Sequence, residues 1–470
     1  MVLEINLNGN INNMKYTKKI VIVGSGVAGI SAALKLVDNN YPGELITIID
    51  KGKDPYTRKP EEVMTGFAGA GGFSDGKLTY HTAIGGQLSK YCGEEKAYDL
   101  MDQSIEMWKR FHPDPPKIMY SNPQAEPDFI KPYFGLRLFP VYHIGTDYLH
   151  EIGKRWYDYL VDKGVKFEWE CEVNDIDFKK QIVTFVDNKI LSKFYKLGKD
   201  NGLENFKPYI DTNIEYDKLI FAVGKSGIDF GKKLADEYNL PTEPKSVQIG
   251  VRFEAPQKYF QKLIDVSYDF KLYQKFDNVS LRSFCTNNNA AYVAVEETYG
   301  DITYNGHAKK GEEFRNDMTN FGILMEIKGI ENPFEWSRDV VQKLQINGTG
   351  IYYSPNKTRQ PSLTSENNTV SAIQVDTMDV LFNALGEEYA QYIEDFITNM
   401  QIIFPEMGDD WGIYMPEVKY LSPEPLVDYK NLALKDYPNV HFVGDALSAR
   451  GITVSGAHGI YVSEYLLRNN

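Results

Sequence analysis

A chain of 470 residues, 42% hydrophobic and 25% charged, has ordinary globular composition and enough length for two or three lobes with sizeable cores. Its formal net charge of −14 argues against whole-surface attraction to nucleic-acid backbones or anionic lipid. Only three cysteines occur, Cys92, Cys171 and Cys285, too far apart for a disulfide framework or a cysteine-rich zinc site, and a reducing, cytoplasmic setting is expected.

Residues Met1–Lys18 lack the succession of charged, apolar and small residues that marks a secretion signal, and read as a polar tail. Ile20–Val37 is apolar enough to suggest a membrane span, but Gly24, Gly26 and Gly29 interrupt it and Lys35 charges it. A buried strand over Lys19–Val23, a glycine turn and a helix over Val27–Asp38 fit better, and no membrane partner is expected. Leu45–Asp50 completes a βαβ unit. The glycine-dense stretch Gly66–Gly86 reads as a functional loop, Ala97–Phe111 as helix, and the proline-rich His112–Pro140 as irregular connection.

Thr146–Lys163 carries helical spacing through Leu149, Ile152, Trp156 and Leu160. Lys166–Asp175 and Gln181–Val186 read as an inserted antiparallel meander, and Asp217–Val223 as a buried strand. From about Lys245 to Asp428 the pattern becomes mixed strands and helices, and Val440–Leu467 returns to strand, glycine turn and helix.

The chemistry begins at Gly24-Ser25-Gly26-Val27-Ala28-Gly29, a G-x-G-x-x-G pattern placed between strand and helix, with Asp50 closing the next strand. Gly24 permits the tight turn, Gly26 lets a pyrophosphate approach the backbone, and Gly29 lets the helix pack on the sheet. The helix N-terminus offers unpaired N–H groups and a positive dipole end to phosphates. Asp50 is expected to accept from ribose hydroxyls, with Lys51 beside it. NAD and FAD share this ADP-binding structure, so other segments must decide between them.

Two segments do. Tyr216–Gly224 resembles the strand-to-glycine motif in the middle of two-dinucleotide-fold (glutathione-reductase-type) flavoproteins, and Tyr437–Asp445 resembles their late strand ending in Gly444-Asp445. This resemblance implies FAD, with Asp445 on the ribityl chain and the following helix aimed at the flavin. Gly69-Ala-Gly-Gly-Phe-Ser-Asp-Gly-Lys77 and His143–Asp147 resemble motifs of a widespread, mostly uncharacterised family of FAD-dependent dehydrogenases of bacteria and archaea. Gln248–Arg252, Ser283–Cys285 and Gly444–Gly459 are similar to it in order and spacing. The chain departs after Cys285, where Thr286-Asn-Asn-Asn289 replaces a Cys-Pro-Gly-Gly type of sequence.

The expected architecture is α/β: a Rossmann-like FAD-binding domain assembled from residues 15–92, 141–244 and 431–470, an accessory region 93–140, and a mixed α+β substrate lobe 245–430. Expected cofactor contacts are Gly24, Gly26, Gly29, Asp50, Lys51, Gly71, Gly72, Ser74, Asp75, Val173, Gly224, Gly444, Asp445 and Gly456. Lys77 is placed to stabilise reduced flavin, and His458, read as beginning the last helix, to move protons. His81 is a weaker proton-transfer candidate, and Arg252 and Arg450 are candidates for a substrate carboxylate.

No second G-x-G-x-x-G follows a later strand, and no histidine pair has metal-ligand spacing, so no metal is expected. The expected function is hydride transfer between a small organic substrate and flavin, with an unidentified electron donor or acceptor. The alternatives are a flavin-dependent enzyme modifying tRNA or DNA, disfavoured by the acidic composition, and a non-catalytic redox sensor.

Overall fold

The computed structural model describes residues 16–469 apart from 60, 61, 63, 75, 118–126, 194–210, 244, 245, 299, 309–311, 365–367 and 420–423. The chain opens with strand β1 (Ile20–Val23), helix α1 (Val27–Asp38) and strand β2 (Ile46–Asp50). Every residue of β1 and β2 is buried, as a parallel sheet covered on both faces requires. β1 pairs in parallel with β2 on one side and with Lys218–Phe221 on the other. Lys166–Trp169 extends the sheet beyond β2, and Val440–Phe442 extends it beyond Lys218–Phe221, both again in parallel. Two short antiparallel strands, Ala433–Leu434 and Val427–Asp428, finish that edge.

The result is a Rossmann-type sheet whose strands come from segments far apart in the sequence. Its parallel strands all end along one edge, so Gly24, Asp50, Gly224 and Gly444, each at or just beyond a strand's carboxyl end, gather there. α1 lies against the last helix, Ile452–Asn469, at small-residue positions. Ser463 Oγ donates to the Ala32 carbonyl at 3.0 Å, and a Cβ on Gly459 would stand 2.1 Å from the Ala28 carbonyl oxygen.

The second lobe is a largely antiparallel sheet built on Val247–Pro256, Val279–Asn289, Met318–Ile327 and Gly412–Lys419. Ile249, Val251, Phe253 and Ala255 face a core that includes Leu381, Ile393, Phe396 and Met400 from the helices Asp379–Leu385 and Glu387–Ile403. The alternate residues Arg252 and Glu254 take the other face and are nevertheless fully buried. The hairpin Ala291–Thr298/Asp301–Ala308 brings further residues to the junction with the first lobe.

Three stretches differ from the sequence expectation. Gly66–Gly86 contains a 3₁₀ turn, Gly69–Phe73, and a strand, Lys77–Thr79, paired with Val141–His143. The accessory stretch is divided: helix Glu94–Phe111 packs into the first core through Leu100, Met101 and Trp108, whereas Gly135–Arg137 pairs with Lys271–Lys275 in the second lobe's sheet. The run Lys166–Asp175 breaks at Glu170, whose φ is +58°, so its first half joins the parallel sheet and its second half starts a three-stranded antiparallel one. Among the described residues, no helix is long and apolar enough to cross a membrane.

Substituting Gly459→Val should force α1 and the last helix apart and cost at least about 1–3 kcal/mol. Urea unfolding midpoints of the variant and the parent chain test this; equal midpoints would refute the close packing.

Candidate functional site

A cavity of about 490 Å³ opens where the carboxyl ends of the parallel strands meet the second lobe. Its size falls within the ~300–1,000 Å³ common for small-molecule sites. One wall comprises Gly24, Gly26 and the first turn of α1, then Asp50, Lys51 and Val173, then Gly224, Gly444 and Asp445. The facing residues Cys285, Glu296, Asn305, His307 and Lys419 belong to the second lobe.

The three fingerprint glycines have separate physical reasons. Gly24 adopts φ +103°, and a Cβ there would stand 2.3 Å from the Ala222 carbonyl oxygen. Gly29 approaches the Gly24 carbonyl so closely that a Cβ would stand 2.2 Å away. Gly26 is different: its φ is −65°, and the nearest atom to a Cβ is 4.0 Å away. The fold does not demand glycine at Gly26; the opening beside it belongs to the cavity. α1 has no side-chain cap and no acidic residue in its first turn, so its N-terminal amides remain available to an anion.

Asp50 organises this cradle. One carboxylate oxygen accepts from Ser25 N–H and Ser25 Oγ, both at 2.7 Å. The other accepts from Gly52 N–H at 2.8 Å and Gly66 N–H at 2.9 Å. The carboxylate therefore joins the phosphate-type turn to the glycine-rich loop, and a ribose hydroxyl would have to share an oxygen with these donors.

Arg58, which sequence reasoning passed over, completes the clamp. Its buried guanidinium donates to the carbonyls of Phe67, Gly69 and Glu62 and lies 4.4 Å from the Phe73 ring centroid. Burial pulls its pKa down to about 10, against the opposing pull of Asp50 and Glu62.

Gly71, Ser74, Lys77 and Val173 line the cavity with the residues already named. Lys77 is nearly buried and reaches across the lobes: its Nζ donates to the Thr286 carbonyl at 2.7 Å and stands 4.0 Å from Asp269. Arg450 also lines the cavity and pairs with Asp445 at 3.1 Å. Asp75 lies outside the described residues.

Several expected assignments are corrected by position. Gly72 is not part of the cavity lining; it packs against Ala68 and Arg58. Gly456 is a packing glycine, since a Cβ there would stand 2.3 Å from Ser104 Oγ. The last helix begins at Ile452, so the residues it presents to the cavity are Ile452 and Ser455, next to Gly451. His458 lies nearly two turns inside that helix, fully buried against the edge of Tyr91 and away from the cavity. Neither of its ring nitrogens has a hydrogen-bond partner, and burial pulls its pKa down to about 3. It is a core residue with no face on the cavity.

Arg252 is likewise sealed inside the second lobe, donating to the Phe284 and Cys285 carbonyls and pairing with Glu417. His81 stacks edge-on against Phe139, off the cavity.

Sequence reasoning missed Lys225, Glu296, Asn305, His307 and Lys419. Lys225 was within reach, because it directly follows Gly224. Burial pulls the Lys225 pKa below its ordinary value, and neighbouring Lys419 adds to the effect while Glu296 opposes it. For Glu296, burial pushes the pKa up, but the charges of Lys225 and Lys419 help to outweigh that and hold it below the usual carboxyl value. Among the described residues no group of three or more His, Cys, Asp or Glu is placed to hold a metal.

No family model matches the chain. An uncharacterized protein of Clostridium beijerinckii is 26% identical over 322 residues, covering 63% of this chain and 49% of its own length, so the chain spans about half of that relative. Similar solved structures include CtdE in complex with FAD, at 8% identity and TM-score 0.35, covering 95% of this chain and 82% of that one. A flavoprotein/dehydrogenase from Cytophaga hutchinsonii has 12% identity and TM-score 0.36, covering 96% and 79%. CmlS, a flavin-dependent halogenase, has 12% identity and TM-score 0.38, covering 97% and 59%.

The burial of His458 has a pH signature. Its native pKa lies below the ordinary 6.5, so its contribution to stability is complete above pH 6.5 and is lost as pH falls toward 3. His458→Leu should flatten the acid limb of the stability profile by at most about 1.4 kcal/mol per pH unit. Urea titrations between pH 7 and 4 measure this; parallel profiles for parent and variant would contradict the placement.

Proposed function

We propose that this protein is an FAD-dependent oxidoreductase of the two-dinucleotide-fold kind, exchanging hydride with a small organic substrate presented by the second lobe. The observation that carries this reading is the single cavity lined by both Gly26 and Asp445, with an uncapped helix end on one wall and charged second-lobe groups facing it.

The residues present fit the cofactor. Gly26 leaves the α1 amides open to a pyrophosphate, and the backbone at Val173 lies on the wall where an adenine would rest. Gly224 adopts φ +61°, and a Cβ there would meet nothing within 4 Å, which leaves room for a ligand against the strand end. Asp445 and the start of the last helix would hold the far half of the dinucleotide.

Bound there, FAD would supply a two-electron hydride acceptor or donor. Lys77 brings its amino group to the wall and latches the lobes through Thr286, where it would favour negative charge developing beside it. The second lobe shields the cavity from water and orients the substrate. With His458 withdrawn, proton transfer falls to water or to a cavity-facing group. A second electron donor or acceptor completes turnover. The free cysteines suit a reducing, cytoplasmic compartment.

Purified protein should carry, or take up on reconstitution, one FAD per chain, seen as flavin absorbance that survives desalting. Gly26→Val should keep the circular dichroism and melting temperature of the parent while losing at least nine-tenths of the flavin, because its side chain fills cavity and not core. Protein that binds no flavin, or a Gly26→Val variant with full flavin content, would sink the proposal.

A further inference from the structure

The second-lobe wall of the cavity is charged against the trend of an acidic chain. Glu296 is fixed by Asn305, whose Nδ2 donates to its Oε1 at 2.8 Å, and Asn305 Oδ1 in turn accepts from Arg252 at 3.1 Å. Arg252 pairs with Glu417 at 3.4 Å, and Glu417 pairs with Lys419 at 3.3 Å. Lys419 returns to the cavity, whose lining also includes Glu296 and Lys225. The cluster thus holds three cations, Lys225, Lys419 and Arg252, against two carboxylates, Glu296 and Glu417.

Arg252 and Glu417 are fully buried and cannot turn outward for solvent. Arg252 and Glu417 pair behind the wall, and on the wall itself Lys225 and Lys419 outnumber Glu296, while Arg450 is matched by Asp445. Lys225, Lys419 and Glu296 are partly exposed to the cavity, so the surplus positive charge is open to an incoming anion.

We infer that Lys225 and Lys419 form the subsite for a carboxylate group of the substrate, beside Glu296 on the same wall. This inference rests on the flavin reading and adds the substrate class to it: a small organic carboxylate, oriented by its anionic end toward the second lobe. Burial, followed by the charge of Lys419, pulls the Lys225 pKa down, and an arriving anion would relieve that cost. The uncapped α1 amides would take the pyrophosphate, which would leave the lysine pair to the substrate. Arg252, which the sequence suggested for this task, acts behind the wall: it orients Asn305 and neutralises Glu417.

The test uses the FAD-loaded protein and two matched probe pairs, benzoate against benzamide and acetate against acetamide. Binding is followed by calorimetry and by perturbation of the bound-flavin absorbance. The carboxylates should bind at least about tenfold more tightly than their amides and lose affinity as salt rises. Lys225→Met and Lys419→Met should each remove about tenfold of the carboxylate affinity while leaving amide binding and flavin content unchanged. Lys225→Arg, which keeps the charge, should restore most of it.

Equal affinity for acid and amide, no binding of either acid, or carboxylate affinity unchanged in both Met variants would overturn the inference while flavin retention shows the cofactor reading intact. Loss of flavin from a correctly folded Lys225→Met variant would assign that lysine to the cofactor and also overturn it. A parent chain that takes up no FAD would remove the reading beneath it.

Discussion

One carboxylate, that of Asp50, accepts four hydrogen bonds from three backbone segments, and the cavity depends on that junction. Backbone bonds add to it, from Ala68 N–H to the Ser25 carbonyl at 2.8 Å and from Phe67 N–H to the Lys53 carbonyl at 3.0 Å. A charged acceptor suits this task, because hydrogen bonds to an ionised group are stronger than neutral ones. Arg58 repeats the logic with the opposite sign, gathering the carbonyls of Phe67, Gly69 and Glu62. The cradle is thus a set of loops held by two buried ions, with the α1 N-terminus left open for the ligand.

The two lobes divide the work by the kind of chemistry each can present. The first offers backbone: strand ends, glycine turns and the beginnings of two helices, which suit phosphates and the elongated shape of a dinucleotide. The second offers side chains from an antiparallel sheet and a hairpin, with charges fixed by a relay running from Glu296 through Asn305 and Arg252 to Glu417. Lys77 crosses from the first lobe to the Thr286 carbonyl, so the relative position of the two halves bears directly on the cavity wall. That contact falls just beyond Cys285, which itself lines the cavity.

Much of the first lobe was legible because its signals are local. A buried Ile/Val strand, a glycine turn and an apolar helix specify β1, the turn and α1 within a few residues, and Gly24, Gly26 and Gly29 carry their reasons in backbone geometry. The last helix shows where local signals fail. Gly444, Gly451, Gly456 and Gly459 offer several places for a helix to start, and the start at Ile452 turns His458 into the core against Tyr91. The accessory stretch fails for a related reason: nothing within it indicates that Glu94–Phe111 and Gly135–Arg137 belong to different cores.

By itself the sequence determined the βαβ unit, the glycine turns and the late strand ending in Gly444-Asp445, since each is set by periodicity and backbone freedom over a short span. Tertiary structure alone decided which charged residues meet. Arg252, the hairpin carrying Glu296 and Asn305, and the strand carrying Glu417 and Lys419 are well separated along the chain, and it is antiparallel pairing and hairpin placement that bring them together at and behind one wall. A side chain's face follows from helix start and strand register, and long-range packing fixes both.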